Sequence, residues 1–301
     1  MITNIVWNLH NHCKSECSYC PSHLRGGLPD EHSILEYTEV ALELISHYKS
    51  LGKTIHWTFN GGEPLDLIDF PVLLRICNEH DGKIELHTNG GKLWIDWWAM
   101  EPRIDVVHLS YHYWQKYPLV KFIIQLFQKK GKKVKVTVPM RPDYFDEDLQ
   151  RALDVEKEFG IVVGKSVLYD SASSIKGMYA YTEQQLRIMG GEELVNKHKD
   201  HQLSTISERM KKINNSHPSY TGMLCNIGIE SLNISHLGWV SGSDCNNKPL
   251  GNIWVSMKEF VSDADKQQKN LNRLRLPTQP DQCGKISCIS ARDQKITKFN
   301  R

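Results

Sequence analysis

Residues 54–90 read TIHWTFNGGEPLDLIDFPVLLRICNEHDGKIELHTNG, and this stretch decides the fold. Thr54 to Phe59 reads as a strand, Phe70 to Glu79 as a helix and Lys83 to Thr88 as the next strand, with a glycine-bearing turn after each strand. The unit recurs on both sides. Ile2 to Leu9 reads as a strand, and Ser33 to Leu51 carries apolar residues at helical spacing (Tyr37, Ala41, Leu44, Ile45, Tyr48) before a stop at Gly52. Leu93 to Met100 is helical, Asp105 to Ser110 a strand and Leu119 to Lys130 a helix. Lys133 to Val138 alternates polar and apolar residues strictly, as a strand should; Asp146 to Phe159 is helical and Ile161 to Leu168 gives a sixth strand.

Strand–helix units in succession predict an α/β fold with a parallel sheet. Periodicity leaves open a doubly wound sheet and a barrel-like one, and both place functional loops at the carboxyl ends of the strands. Four loops of chemical interest fall there: a cysteine loop after strand one, Gly61-Gly62-Glu63-Pro64, His87-Thr88-Asn89-Gly90, and Ser110-Tyr111-His112. From about Asp170 the rhythm breaks. Asp170 to Gly177 reads as a loop, and Glu183 to Ile213 as a polar helical connection. From Ser216 the chain is richer in Asn, Ser, Gly and Cys, which suits a small unit held by a metal. Two domains are expected, 1–215 and 216–301.

The chain has 301 residues, 40% hydrophobic and 24% charged, as in an ordinary globular protein. A formal net charge of +2 gives no field that points to nucleic acid or a membrane surface. No apolar run approaches the roughly 18 residues of a membrane span. No basic segment followed by an apolar one marks a secretory signal, so a cytoplasmic location is expected.

Eight cysteines form an even count, but their clustering fits metal ligands better than a disulfide framework. Cys13-Lys14-Ser15-Glu16-Cys17-Ser18-Tyr19-Cys20 has the pattern C-x3-C-x2-C. Thiolates suit both zinc and iron–sulfur clusters. A structural zinc would want a fourth ligand, which His10, His12 or His23 could supply.

C-x3-C-x2-C after a first strand, with aromatic Tyr19 before the last cysteine, resembles the signature of the radical SAM superfamily. Gly61-Gly62-Glu63-Pro64 after the second strand is similar to that family's Gly-Gly-Glu-Pro motif. The resemblance implies a partial (β/α)6 TIM-like barrel. It also implies that Cys13, Cys17 and Cys20 bind three irons of a [4Fe–4S] cluster, leaving the fourth iron open to S-adenosylmethionine (SAM). Reductive cleavage of SAM would then give a 5′-deoxyadenosyl radical that takes hydrogen from a substrate, the cofactor carrying the hard chemistry. An external electron donor such as flavodoxin or ferredoxin is implied.

By the same resemblance, Gly61, Gly62, Glu63 and Pro64 hold the SAM amino group. Tyr19, Asn89 and Ser110 belong to the cofactor site, and Arg141 is a candidate partner for a carboxylate. His87 and His112 point to the same rim and are candidate substrate contacts. Cys77, on a helix, reads as a small buried apolar residue.

Cys225, Cys245, Cys283 and Cys288 supply the number of thiols that ligates one [4Fe–4S] cluster or one zinc. With Gly238-Trp239 and Gly251-Asn252-Ile253 between them, they resemble the auxiliary-cluster extensions of radical SAM enzymes, the SPASM type and its shorter Twitch relative. The implied substrate is a ribosomally made peptide, modified by crosslinking, epimerisation or thioether formation. Only twelve residues precede Cys13, so a leader-peptide-binding partner is expected to be a separate protein. The alternatives are dehydrogenation or rearrangement of a small molecule such as an aminocyclitol or sugar and, remotely, a zinc-stabilised binding module.

Overall fold

The computed structural model describes residues 1–15, 17–20, 26–28, 31–170, 177–203, 223–242, 250–254, 274–283 and 296–299. Six strands, β1 (Ile2–Asn8), β2 (Thr54–Asn60), β3 (Lys83–Thr88), β4 (Val106–Ser110), β5 (Lys133–Pro139) and β6 (Val163–Ser166), lie side by side in sequence order, every neighbouring pair parallel. The intervening helices are α1 (Ile34–Ser50), α2 (Phe70–Glu79), α3 (Trp94–Met100), α4 (Tyr117–Lys129) and α5 (Phe145–Phe159). Consecutive parallel strands joined by right-handed crossovers put all the helices on one face, which gives the curved wall of a partial barrel. β6 is not bonded to β1, so the barrel is open.

Local chemistry explains the boundaries. Ser33 and Glu36 form a capping box that starts α1: Ser33 Oγ accepts from Glu36 N and Glu36 Oε2 accepts from Ser33 N at 2.7 Å. Pro71 and Pro118 occupy the first turns of α2 and α4, where a missing N–H costs nothing. β6 is shorter than the expected 161–168, because Val162 lies exposed and the strand pairs β5 only from Val163 to Ser166.

The strand alternation has a clear meaning. Trp7, Trp57, Phe59, Ile84, Leu86, Val107 and Leu109 point to the helices and are buried, each large side chain adding about 1.5–3 kcal/mol of apolar burial. The opposite face is polar and half-buried: His56, Thr58, Asn60, Glu85, His87, His108, Ser110, Lys135 and Thr137 share it through the strand register. A parallel sheet buried on both faces would carry apolar residues on both. Here the inner wall faces a cavity.

Beyond β6, β7 (Tyr169–Asp170) and β8 (Gly177–Met178) make a short antiparallel ribbon. The expected helix follows as α6 (Glu183–Leu203), kinked at Gly190 and Gly191, whose backbone angles are non-helical; residues 204–213 lie outside the described set. β9 (Leu224–Cys225) comes next. The strands β10 (Ser231–Ile234), β11 (Trp239–Ser241) and β12 (Gly251–Asn252) then join the main sheet, β10 pairing parallel with β1. The boundary expected at 215/216 therefore does not separate two cores. Leu232, Ile234, Val240 and Ile253 bury into the same hydrophobic core as β1, because the β1 edge of an open barrel offers unpaired backbone groups that β10 satisfies. β13 (Asp281–Gln282) and β14 (Lys298–Phe299) flank β9 in a separate small sheet. None of the described helices is long and apolar enough to cross a membrane.

Candidate active site at the carboxyl rim

The loops after β1, β2, β3 and β4 meet at one cavity of about 410 Å³, within the range of small-molecule sites. Cys13, Cys17, Cys20 and Tyr19 line it from the first loop, Gly61, Gly62 and Glu63 from the second, His87, Thr88 and Asn89 from the third, and Ser110 and His112 from the fourth. Ser15 completes the cysteine-loop side, and Ser166 to Tyr169 close the far side.

Backbone pairing continues past the ends of β1 and β2 and fixes the first two loops together. Gly62 N donates to His10 O at 2.7 Å and Glu63 N to His12 O at 2.8 Å. Gly61 adopts φ 140°, and a Cβ there would lie 2.4 Å from His10 O. A Cβ on Gly62 would lie 2.0 Å from His12 O. Both glycines are thus required by contact with the cysteine loop.

Glu63 is buried and ties the second loop to the third. Its carboxylate accepts from Leu65 N at 3.1 Å, Thr88 Oγ1 at 2.6 Å and Asn89 N at 2.7 Å. Burial raises it to about 7, with the donors from Thr88, Asn89 and Leu65 pulling the other way. Pro64 starts the short turn that follows and is buried behind Glu63, away from the cavity lining. Asn89 donates from Nδ2 to Ser15 Oγ at 3.1 Å and toward Cys13 Sγ at 3.7 Å.

Three expected ligand candidates, Arg141, His10 and His12, do not line the cavity. Arg141 does not line the cavity: its Nε and Nη2 each donate to Asp148 at 2.8 Å, and its guanidinium lies over Tyr113 and Tyr144 at 4.3 and 4.5 Å. A buried carboxylate in the first turn of α5 claims the planar fork before any ligand can. His10 and His12 are turned away from the cavity. His10 Nδ1 accepts from His12 N at 3.1 Å, and His12 Nδ1 lies 2.9 Å from Gly27 O. His23 lies outside the described residues, as do Cys245 and Cys288.

The inner wall holds groups the sequence reading passed over. Glu85 lies 3.1 Å from His87 Nε2 and 2.6 Å from Lys135 Nζ. The hydrogen bond from His87 and then that from Lys135 hold it down to about 2 against its burial. Among the described residues, Glu85, His87 and His108 are the one set of three metal-donor atoms gathered within 4.8 Å, but Lys135 already balances the carboxylate. The donor set that the first loop brings to the cavity is three thiols with no histidine of that loop beside them, the ligand type that iron–sulfur clusters take. The strict alternation in Lys83–Thr88 and Lys133–Val138 was the available signal for this polar wall.

His108 sets a pH response. Burial first, then His87 and Lys135, lower it to about 4. The unfolded chain takes up this proton near pH 6.5 and the folded chain does not, so stability falls as pH drops through that window. His10 and His112, also lowered to about 4 chiefly by burial, act in the same direction. Glu63 acts in the opposite one between about 4.5 and 7. His47 and His56 are lowered by burial as well, so the lowered histidines together outweigh Glu63 and predict a lower melting temperature at pH 5 than at pH 7, and a shallower slope for His108→Asn; equal melting temperatures at both pH values would contradict this.

Residues 7–164 match the Radical SAM superfamily, just over half of the chain. The chain is a radical SAM enzyme. No curated protein matches it by sequence. Among solved structures, this radical SAM chain is similar in fold to native anSMEcpe with bound AdoMet, at 16% identity, TM-score 0.52, with 89% of this chain and 83% of that one covered. It is also similar to Streptococcus suis SuiB bound to precursor peptide SuiA, at 15% identity and TM-score 0.51, covering 91% of this chain and 69% of SuiB. At these identities the likeness shows a shared fold, which confirms the parallel α/β fold expected from the strand–helix rhythm and the partial barrel that the family resemblance implied.

Proposed function

We propose that Cys13, Cys17 and Cys20 ligate the [4Fe–4S] cluster that this superfamily implies, and that Gly61, Gly62, Glu63, Asn89, Ser110 and Tyr19 surround SAM. The observation that carries this reading is the single cavity in which the three thiols meet the Gly-Gly-Glu turn and Asn89. When bound, the cluster and SAM supply a 5′-deoxyadenosyl radical that takes hydrogen from the substrate. The chain's own residues do the rest. Glu63 locks the second and third loops around the ligand, the two glycines let the cysteine loop approach, and His87, fixed by Glu85, offers its other ring nitrogen to the substrate side. Arg141 is left out of this set, since Asp148 holds it.

The proposed substrate is a ribosomally made peptide, converted by crosslinking, epimerisation or thioether formation. Support comes from similar structures that hold peptides: SuiB with SuiA, and anSMEcpe with the Cp18Cys peptide (17% identity, TM-score 0.50, 96% of this chain and 91% of that one covered). A flavodoxin or ferredoxin would deliver the electron, and a separate protein would bind a leader peptide. A second reading, dehydrogenation or rearrangement of a small hydrophilic molecule such as an aminocyclitol or sugar, is favoured by the charged inner wall of Glu85, His87 and Lys135. Anaerobic incubation with SAM and dithionite tests the class: 5′-deoxyadenosine is the expected product, and its absence from iron-loaded protein would refute the assignment.

Residues 216–301 are proposed to carry a SPASM- or Twitch-like auxiliary cluster on Cys225, Cys245, Cys283 and Cys288. Cys283 N donates to Met223 O at 2.8 Å, and the antiparallel register of β9 and β13 sets Cys225 and Cys283 on the same face of the small sheet. Fully ligated by cysteine, such a cluster would accept or relay the electron released by substrate oxidation. Iron analysis should give about eight irons per chain, falling to about four in Cys225→Ala or Cys283→Ala. About four irons in the unmodified protein, with zinc beside them, would replace the auxiliary cluster with a structural zinc.

A further inference from the structure

The cysteine loop accepts a hydrogen bond from a residue that the preceding reading does not use. Trp114, in the loop between β4 and α4, donates from Nε1 to Cys17 Sγ at 3.2 Å. Cys17 is buried, whereas Trp114 is 37% exposed. The direction of this N–H is fixed by its surroundings. The indole stacks on His112 (ring centres 5.7 Å apart, planes 11° apart), and His112 stacks on Tyr19 (6.0 Å, 9°). Tyr19 OH lies 2.7 Å from His112 Nδ1. Cys17 Sγ lies 3.8 Å from the same ring nitrogen, so the stack packs directly against the thiol. Gln115 ties this loop to the third one, accepting from His112 N and donating to Asn89 O.

We propose that Trp114 is a positioning residue for the iron–sulfur site, held by its stack with His112 and Tyr19 so that its indole N–H raises the cluster's reduction potential through Cys17. This rests on the reading that Cys13, Cys17 and Cys20 ligate a cluster. A thiolate bound to iron carries part of the cluster's negative charge, and adding an electron increases it. A fixed donor on the sulfur therefore stabilises the reduced state more than the oxidised one. Indole is a donor only and does not titrate, so the effect is independent of pH across the neutral range. Asn89 offers a second donor at the longer distance of 3.7 Å to Cys13, where a weaker effect follows.

The test is an anaerobic redox titration of the reconstituted full chain, followed by electron paramagnetic resonance of the reduced cluster. Trp114→Phe keeps a ring for the stack and removes the donor. Incorporation of β-(3-benzothienyl)alanine at position 114 keeps the bicycle and replaces the N–H by sulfur. Both variants are expected to load as much iron as the unmodified protein. At a fixed applied potential their ratio of reduced to oxidised cluster should fall by about threefold to tenfold, the scale of one hydrogen bond. Full iron content with an unchanged midpoint in the benzothienyl variant overturns the proposal and leaves the cluster assignment standing. Failure of both variants to load iron also overturns it, since Trp114 would then act in assembly. An unmodified protein that loads no iron removes the cluster assignment and this proposal together.

Discussion

Cys13→Ala, Cys17→Ala and Cys20→Ala are each expected to reduce 5′-deoxyadenosine formation from SAM to below detection. Two thiolates cannot hold three irons of one cluster, and the open iron that would take SAM is lost with it. The three positions are not equivalent in their surroundings. Cys17 is buried and accepts from Trp114, Cys13 receives Asn89 at 3.7 Å, and Cys20 N donates to Cys17 O at 2.9 Å to close the turn. Burial, together with nearby Glu63 and Asp66, raises Cys13 as a free thiol, while hydrogen bonds from Ser15 oppose this; a bound metal must therefore supply the drive to deprotonate it. Iron content should drop by about four per chain in each variant, with melting temperature of the metal-free protein little changed. Cys77→Ala is the control. Cys77 is fully buried in α2 and does not line the rim cavity, so its replacement should cost about 1 kcal/mol and leave iron content unchanged. SAM cleavage at the unmodified rate in any of the three rim variants would sink the assignment.

Gly62→Ala is the second large effect, and it arises from backbone rather than from ligand chemistry. The added methyl would fall 2.0 Å from His12 O and 2.9 Å from the Asn11 carbonyl carbon. Neither contact is the end of a flexible side chain, so the loops must separate. That breaks the bonds from Gly62 N to His10 O and from Glu63 N to His12 O. The combined loss and strain should cost about 3–5 kcal/mol. It should also lower iron loading, because the displaced strand of chain leads directly into Cys13. A Gly62→Ala protein with unmodified melting temperature and iron content would show that the Gly-Gly turn is not pressed on the cysteine loop as described.

These glycines have a structural cause that the motif alone does not reveal. In the sequence, Gly61-Gly62-Glu63-Pro64 suggests a turn that cradles a ligand. The fold shows that the glycines first serve the approach of one loop to another, and that Glu63 spends its carboxylate on Leu65, Thr88 and Asn89. Arg141 is the opposite case. Its place after β5 suggested a ligand contact, but Asp148, seven residues on, occupies its fork. Sequence spacing alone does not rank that partner above a ligand, since the match depends on where α5 begins relative to β5.

The C-terminal third was the least legible. Its composition suggested a separate unit held by metal, yet β10, β11 and β12 extend the barrel sheet from the β1 edge. The reason is that Ser231 to Ile234 has too few residues to announce a strand by periodicity; its partner strand lies 227 residues away in register, with Thr3 Oγ1 donating to Ile229 O at 2.7 Å beside it. Trp114 was overlooked on similar grounds. A tryptophan in a loop carries no local signal, and its bond to Cys17 crosses 97 residues.

By itself the sequence determined the parallel α/β architecture, through six strands whose period is set by local sterics, and it put three thiols on one loop, because Cys13, Cys17 and Cys20 fall within eight residues. Tertiary structure alone decided which surface became the site. The strand order brings the four carboxyl-end loops to one rim, the register turns His87, Glu85 and Lys135 onto one inner wall, and long-range contacts choose which polar groups are consumed by the protein and which face the cavity. The physical reason is the range of the forces involved. Backbone propensity and hydrophobic period act over a few residues, whereas hydrogen-bond satisfaction at a buried rim depends on partners that only the closed fold supplies.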